Sequence, residues 1–141
     1  MAPQVIETAS ERETEQTGET LGRQLSPGTV VLLYGDLGAG KTAFVRGLAR
    51  GVGADPDEVS SPTFTIIQEY GGSRATLHHV DLYRLDPPEI EDLGLDDLID
   101  GGGIVAIEWA DRWPRRPRGA VDVRIASLAE HARRIELHIP A

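Results

Sequence analysis

The sequence predicts an α/β fold, a mixed and mainly parallel central sheet flanked by helices and carrying one antiparallel hairpin. Three observations predict it. Thr29 to Tyr34 is a six-residue run of β-branched and apolar side chains without alternation, the pattern of a strand buried on both faces. The glycine-rich break Gly35 to Gly40 separates it from Lys41 to about Arg50, where Phe44, Val45, Leu48 and Ala49 recur at helical spacing. A second short apolar run, Ile104 to Ile107, repeats the buried-strand pattern and ends at an acid, Glu108.

The remaining elements follow in chain order. Residues 5–8 suit a short first strand, and Ser10 with Glu13 makes an S-x-x-E capping box that opens a polar helix running to about Leu25. Ser26-Pro27-Gly28 closes that helix. After the central strand, turn and helix, a polar loop from Gly53 to Pro62 leads to two strand-like segments, Thr63 to Tyr70 and Ala75 to Tyr83. Four turn residues join them, which predicts an antiparallel hairpin. Pro87 and Pro88 start an acidic helical stretch, Glu89 to Asp100, ended by Gly101-Gly102-Gly103. The Arg- and Pro-rich segment Asp111 to Gly119 reads as a loop. Val121–Ile125 and Arg134–Ile139 alternate apolar with polar residues, and edge strands are expected there.

Composition narrows the function classes. A chain of 141 residues suits one domain, residues 1–141, and 40% hydrophobic with 26% charged residues is ordinary for a folded globule. No run is long enough to cross a membrane, and Met1 to Glu7 carries neither a basic region nor an apolar one, so a cytoplasmic address without membrane association is expected. With no cysteine, disulfides, thiol nucleophiles and Cys-ligated zinc are excluded. A net charge of −9 argues against a self-sufficient nucleic-acid footprint. Lys41 is the sole lysine among 14 basic residues, retained in a chain that otherwise uses arginine.

Gly35-Asp36-Leu37-Gly38-Ala39-Gly40-Lys41-Thr42 satisfies G-x-x-x-x-G-K-S/T, the phosphate-binding P-loop. Glycines let the backbone turn its N–H groups inward as an anion nest, and the helix that follows presents the positive end of its dipole. Lys41 would neutralise the β- and γ-phosphates, and the Thr42 hydroxyl would be an Mg²⁺ ligand. Hydrolysis also needs a carboxylate for the metal and a group to place the attacking water. Glu108 and Asp81, each following a strand-like run, are the candidates, because ligands of such sheets bind beyond the carboxyl ends of parallel strands. Trp109 either lines the pocket or packs. His78-His79 is not a chelating pair, since neighbours on a strand point to opposite faces. Arg112, Arg115, Arg116 and Arg118 form the basic cluster, read as a solvated loop, with an RNA or acidic-partner contact or a phosphate lid as the alternatives.

Four motifs taken together, GDLGAGKT at Gly35–Thr42, SPTFT at Ser61–Thr65, DLYR at Asp81–Arg84 and EW at Glu108-Trp109, resemble those of the TsaE family over nearly the full length. The resemblance implies a P-loop ATPase of bacterial tRNA threonylcarbamoyladenosine biosynthesis. Its partners would be TsaB and TsaD, of which TsaD modifies the adenosine next to the anticodon, and tRNA would be met only through that complex. ATP and Mg²⁺ would be its cofactors. By the same resemblance, Gly35 to Ala43 would bind nucleotide, with Lys41 and Thr42 on phosphate and metal, Glu108 at the metal and Asp81 as the second essential acid, leaving open whether Asp81 ligates it. Ser61, Pro62 and Thr63 would form a switch-like loop with Thr63 nearest the γ-phosphate. Trp109 would be functionally important, and Ser10 and Glu11 would lie by the adenine. Ala43 and Ala110 depart from the usual Thr/Ser and Pro of the family. Two other readings suit a P-loop: a small metabolite kinase, whose lid could only come from Arg112–Arg118, and a nucleotide-gated interaction module without useful hydrolysis.

Overall fold

In the computed structural model, which describes residues 3–36, 38–59 and 66–140, seven strands form one sheet in the order β1-β7-β6-β2-β5-β4-β3. The strands are β1 (Gln4–Thr8), β2 (Val30–Tyr34), β3 (Ile67–Gly71), β4 (Thr76–Asp81), β5 (Ile104–Glu108), β6 (Val121–Ser127) and β7 (Arg133–His138). Four neighbours, β6, β2, β5 and β4, run parallel, and antiparallel pairs close both sides: β3 on β4, and β7 on β6 with β1 outside it. The helices are α1 (Glu11–Gln24), α2 (Lys41–Gly51), α3 (Pro87–Glu91) and α4 (Leu95–Asp100). None is long and apolar enough to cross a membrane among the described residues.

Helices α1 and α2 cover one sheet face, where Phe44, Val45 and Leu48 meet Val31, Leu33, Ala106 and Val123. On the other face Leu82, Ile90, Leu95 and Trp113 cover Leu32, Val105 and Ile107. That explains the unbroken apolar runs of β2 and β5, which are buried on both sides.

The two long helices approach through glycine. Gly18 and Gly22 face Gly47 and Gly51, and a Cβ on Gly47 would lie 2.0 Å from the Glu15 carbonyl oxygen. Exposed ion pairs, Arg46 with Glu11 and Arg50 with Glu15 and Glu19, flank the seam and add little each. Ser10 caps α1 by accepting from the Glu13 N–H, while the Glu13 carboxylate accepts from the Ala9 N–H, one residue earlier than a standard capping box. Together these contacts hold the start of α1 beside the start of α2.

Two expectations need correction. The strands at Val121–Ile125 and Arg134–Ile139 are not edges: β6 lies between β7 and β2, and β7 between β1 and β6. Their alternation instead records an open face, since Val121, Val123 and Ile125 are buried under the helices while Arg124 on the other face is exposed. The acidic stretch Glu89 to Asp100 is two short helices rather than one. Gly94, at φ 72°, takes a left-handed turn that ends the first and starts the second. The hairpin of β3 and β4 agrees with expectation, though its predicted start at Thr63 lies outside the described residues.

Candidate nucleotide site

A cleft of about 530 Å³ opens at the carboxyl ends of β2, β4 and β5. Its floor is the turn between β2 and α2. Gly38 and Gly40 hold φ of 80° and 100°, conformations costly for any residue with a Cβ, and Gly40 is the N-cap of α2. No side chain caps α2 and no acid occupies its first turn, so the positive end of the helix faces the cleft bare. Gly38, Gly40, Lys41, Thr42 and Ala43 line the cleft. Gly35, Asp36 and Ala39 support it from behind: Gly35 packs against the Ile125 carbonyl, Asp36 O accepts from the Ala39 N–H, and Ala39 is in the core. Leu37, Ser61, Pro62 and Thr63 lie outside the described residues.

Lys41 is 5% exposed. Its ammonium donates to the Gly35 carbonyl and sits 3.7 Å from the centre of the Trp109 ring. Burial pulls its pKa below the usual lysine value, while Glu108, Asp81, Asp111 and Asp36 push it back up.

The opposing acids come from neighbouring strands. Parallel register sets Asp81 of β4 directly beside Glu108 of β5, and Glu108 beside Leu33 of β2. Both carboxylates line the cleft. Burial raises the Asp81 pKa, the Tyr83 N–H lowers it, Glu108 raises it further, and His79 and Lys41 lower it.

Glu108, 4% exposed, is held by fully buried His79 through a short hydrogen bond between Oε2 and the imidazole Nε2. The His79 Nδ1 has no partner among the described residues, so the least costly arrangement leaves Nδ1 bare and lets Nε2–H donate to the carboxylate. His79 is the residue that sequence reasoning missed. Strand periodicity could have found it, because His79 is two residues before Asp81 and shares its face. The same rule separates it from His78, and among the described residues no group of three or more His, Asp and Glu converges as a metal cage. Thr42, Asp81 and Glu108 offer only hard oxygen donors, a set suited to Mg²⁺ brought in with phosphates rather than held by the protein alone.

Trp109 lines the cleft, its ring centre 4.8 Å from that of Tyr83 and tilted 40° to it. It is the one residue other than glycine with positive φ, 59°, among those described, a strained backbone that turns the indole toward Lys41. Glu11 also lines the cleft and Ser10 does not. Thr14, Tyr83, Arg84, His131 and Arg133 complete it; of these, Tyr83 and Arg84 lie in the DLYR motif, whereas nothing in the sequence marks the other three. The basic loop is elsewhere. Arg112 donates to Leu85 O, Arg115 pairs with Asp96 and Arg116 with Asp122, and none of them lines the cleft.

Comparison with known proteins shows the family and the fold. The family model described as "Threonylcarbamoyl adenosine biosynthesis protein TsaE" matches residues 8–135. A TsaE protein of Nostoc sp. is 43% identical over 133 residues, 92% of this chain and 82% of the relative. One from Treponema pallidum is 42% identical, covering 89% of this chain and 93% of the relative. The crystal structure of YdiB from Bacillus subtilis superposes with a TM-score of 0.80 at 31% identity, covering 100% of this chain and 88% of that one. On this sequence likeness and shared fold, the chain belongs to the TsaE family of threonylcarbamoyl adenosine biosynthesis proteins.

Proposed function

We propose that the protein binds and hydrolyses Mg-ATP in this cleft and thereby supports turnover of a TsaB–TsaD complex that modifies the adenosine next to the tRNA anticodon, in the cytoplasm. The observation that carries the reading is the buried ammonium of Lys41 at the uncapped start of α2, facing two acids held in register on β4 and β5.

In this reading the backbone N–H groups of Gly40 to Ala43 and the Lys41 ammonium bind the phosphates. Thr42 and Glu108 hold Mg²⁺, which supplies charge neutralisation at the transferring phosphoryl group. Asp81 is the second acid at the same centre. Trp109 and Tyr83 form the wall beside the phosphates, and Glu11 the rim where a base would sit.

The loop Arg112–Arg118 expected as the lid of a metabolite kinase does not line the cleft, and its Arg115 and Arg116 pair with Asp96 and Asp122, which weakens that alternative. A net charge of −9 supports contact with tRNA only through the partner proteins.

The test is phosphate release from Mg-ATP by the chain alone and with TsaB–TsaD, with tRNA modification followed in the same tube. Low turnover, stimulated by the pair and needed for repeated modification cycles, is expected. Turnover indifferent to the pair would mean a different partner, and phosphorylation of a hydroxylated metabolite would make it a kinase. Tight tRNA binding by the isolated chain at physiological salt would contradict the proposed division of labour.

A further inference from the structure

We propose that Arg133, at the start of β7 and on the rim of the cleft, is a positioning residue for the phosphate nest, aiming its backbone N–H groups through their carbonyl ends; the inference rests on the nucleotide reading above and deepens it.

One guanidinium joins two segments that are 94 residues apart. Its Nε donates to the Ala39 carbonyl at 2.9 Å, and Nη2 is 3.4 Å from the Gly38 carbonyl. Its Nη1 donates to the carbonyls of Ala129, Glu130 and Ala132 at 2.9, 3.1 and 2.9 Å, all in the turn between β6 and β7. The fork therefore ties the β6–β7 turn to the turn between β2 and α2.

The consequence follows from peptide planarity. Within one trans peptide unit, C=O and N–H point in opposite directions. Holding the Ala39 carbonyl against Arg133 therefore turns the Gly40 N–H the other way. The preceding unit is held twice, by Arg133 at the Gly38 carbonyl and by the bond from the Ala39 N–H to Asp36 O. Gly40 has no side chain to resist rotation, and at φ 100° it occupies a region where glycine is free to choose among conformations. Arg133 removes that freedom. A Cβ on Gly40 would come within 3.5 Å of Arg133 Nε, so the guanidinium is packed against the nest itself. It also adds a positive charge at the carbonyl ends of these dipoles and on the cleft rim, which favours an anion there.

A lysine at position 133 separates aiming the nest from holding the hairpin. One ammonium can serve the three turn carbonyls, but it lacks the planar fork that reaches both sides. The experiment measures ADP affinity by calorimetry and the nucleotide-free melting midpoint for the parent, Arg133→Ala and Arg133→Lys. The expected result is a loss in ADP affinity of about tenfold or more in both variants, with the melting midpoint lowered in Arg133→Ala and largely recovered in Arg133→Lys. Either variant binding ADP within about twofold of the parent overturns the proposal. So does a parallel loss of affinity and melting midpoint in Arg133→Lys, because a disordered hairpin alone would then account for it. If Arg133→Ala does not fold, the lysine variant decides. A parent chain that binds neither ADP nor ATP refutes the nucleotide reading instead, and this inference with it.

Discussion

The two walls of the cleft are built on different principles. One wall, Gly35 to Ala43, is contiguous: a buried strand, two left-handed glycines and an uncapped helix start follow one another along the chain. The other is assembled. Asp81 and Glu108 meet because β4 and β5 run parallel in one register, His79 joins them from the row below, and Trp109 is turned in by a strained backbone. The contiguous wall offers positive potential, suited to binding an anion, and the assembled wall offers oxygen donors, suited to acting on it. Affinity and turnover should therefore separate when each wall is altered.

Lys41→Ala gives the largest effect. It removes the fixed countercharge from a buried site, so nucleotide affinity and ATP-supported function should fall together by about 100-fold or more in calorimetry and phosphate release. Unchanged affinity would show that the contiguous wall does not bind phosphate. Glu108→Gln should lower turnover by about 100-fold while ADP affinity stays within a few-fold, since a carboxylate at the metal acts mostly in the transition state. A matching loss of ADP affinity would erase the distinction between the walls.

Gly47→Ala tests the support that both walls share. Alanine gains up to about 1 kcal/mol of helix propensity over glycine. The new Cβ would lie 2.0 Å from a backbone oxygen of α1, however, and forcing the helices apart costs about 2–3 kcal/mol. The clash wins, and a melting midpoint lowered by several degrees is expected. An unchanged midpoint would show that the seam between α1 and α2 gives way easily.

Asp81→Asn yields the smallest stability change, with a sign set by pH. Burial raises the Asp81 pKa in the folded chain above its unfolded value, so the ionised form costs stability at neutral pH. That cost is present above the raised folded value and disappears as pH falls through it toward the ordinary carboxylate value. Asp81→Asn should therefore melt slightly higher than the parent at pH 7 and converge with it in acid, while turning over more slowly. A lower midpoint at pH 7 would mean that the carboxylate stabilises the fold and is not held there at a cost to it.

Misreadings of the sequence have physical causes. Alternation in Val121–Ile125 reports that one face of a strand meets water, and a strand can do so while paired on both sides. The acidic stretch carried helical composition throughout, but Gly94 can take a positive φ that composition does not reveal.

By itself the sequence determined what depends on near neighbours. Buried strands, the cap at Ser10, the glycine turn and the helix that starts at Lys41 are governed by sterics and hydrogen bonds within a few residues. Only the tertiary structure decided which acid stands beside which, that His79 holds Glu108 and that Arg133 reaches across 94 residues to Ala39. Those contacts depend on strand order and register, which arise from burial of the whole sheet. A hydrogen bond a few ångströms long leaves no local periodicity when its two ends lie that far apart along the chain.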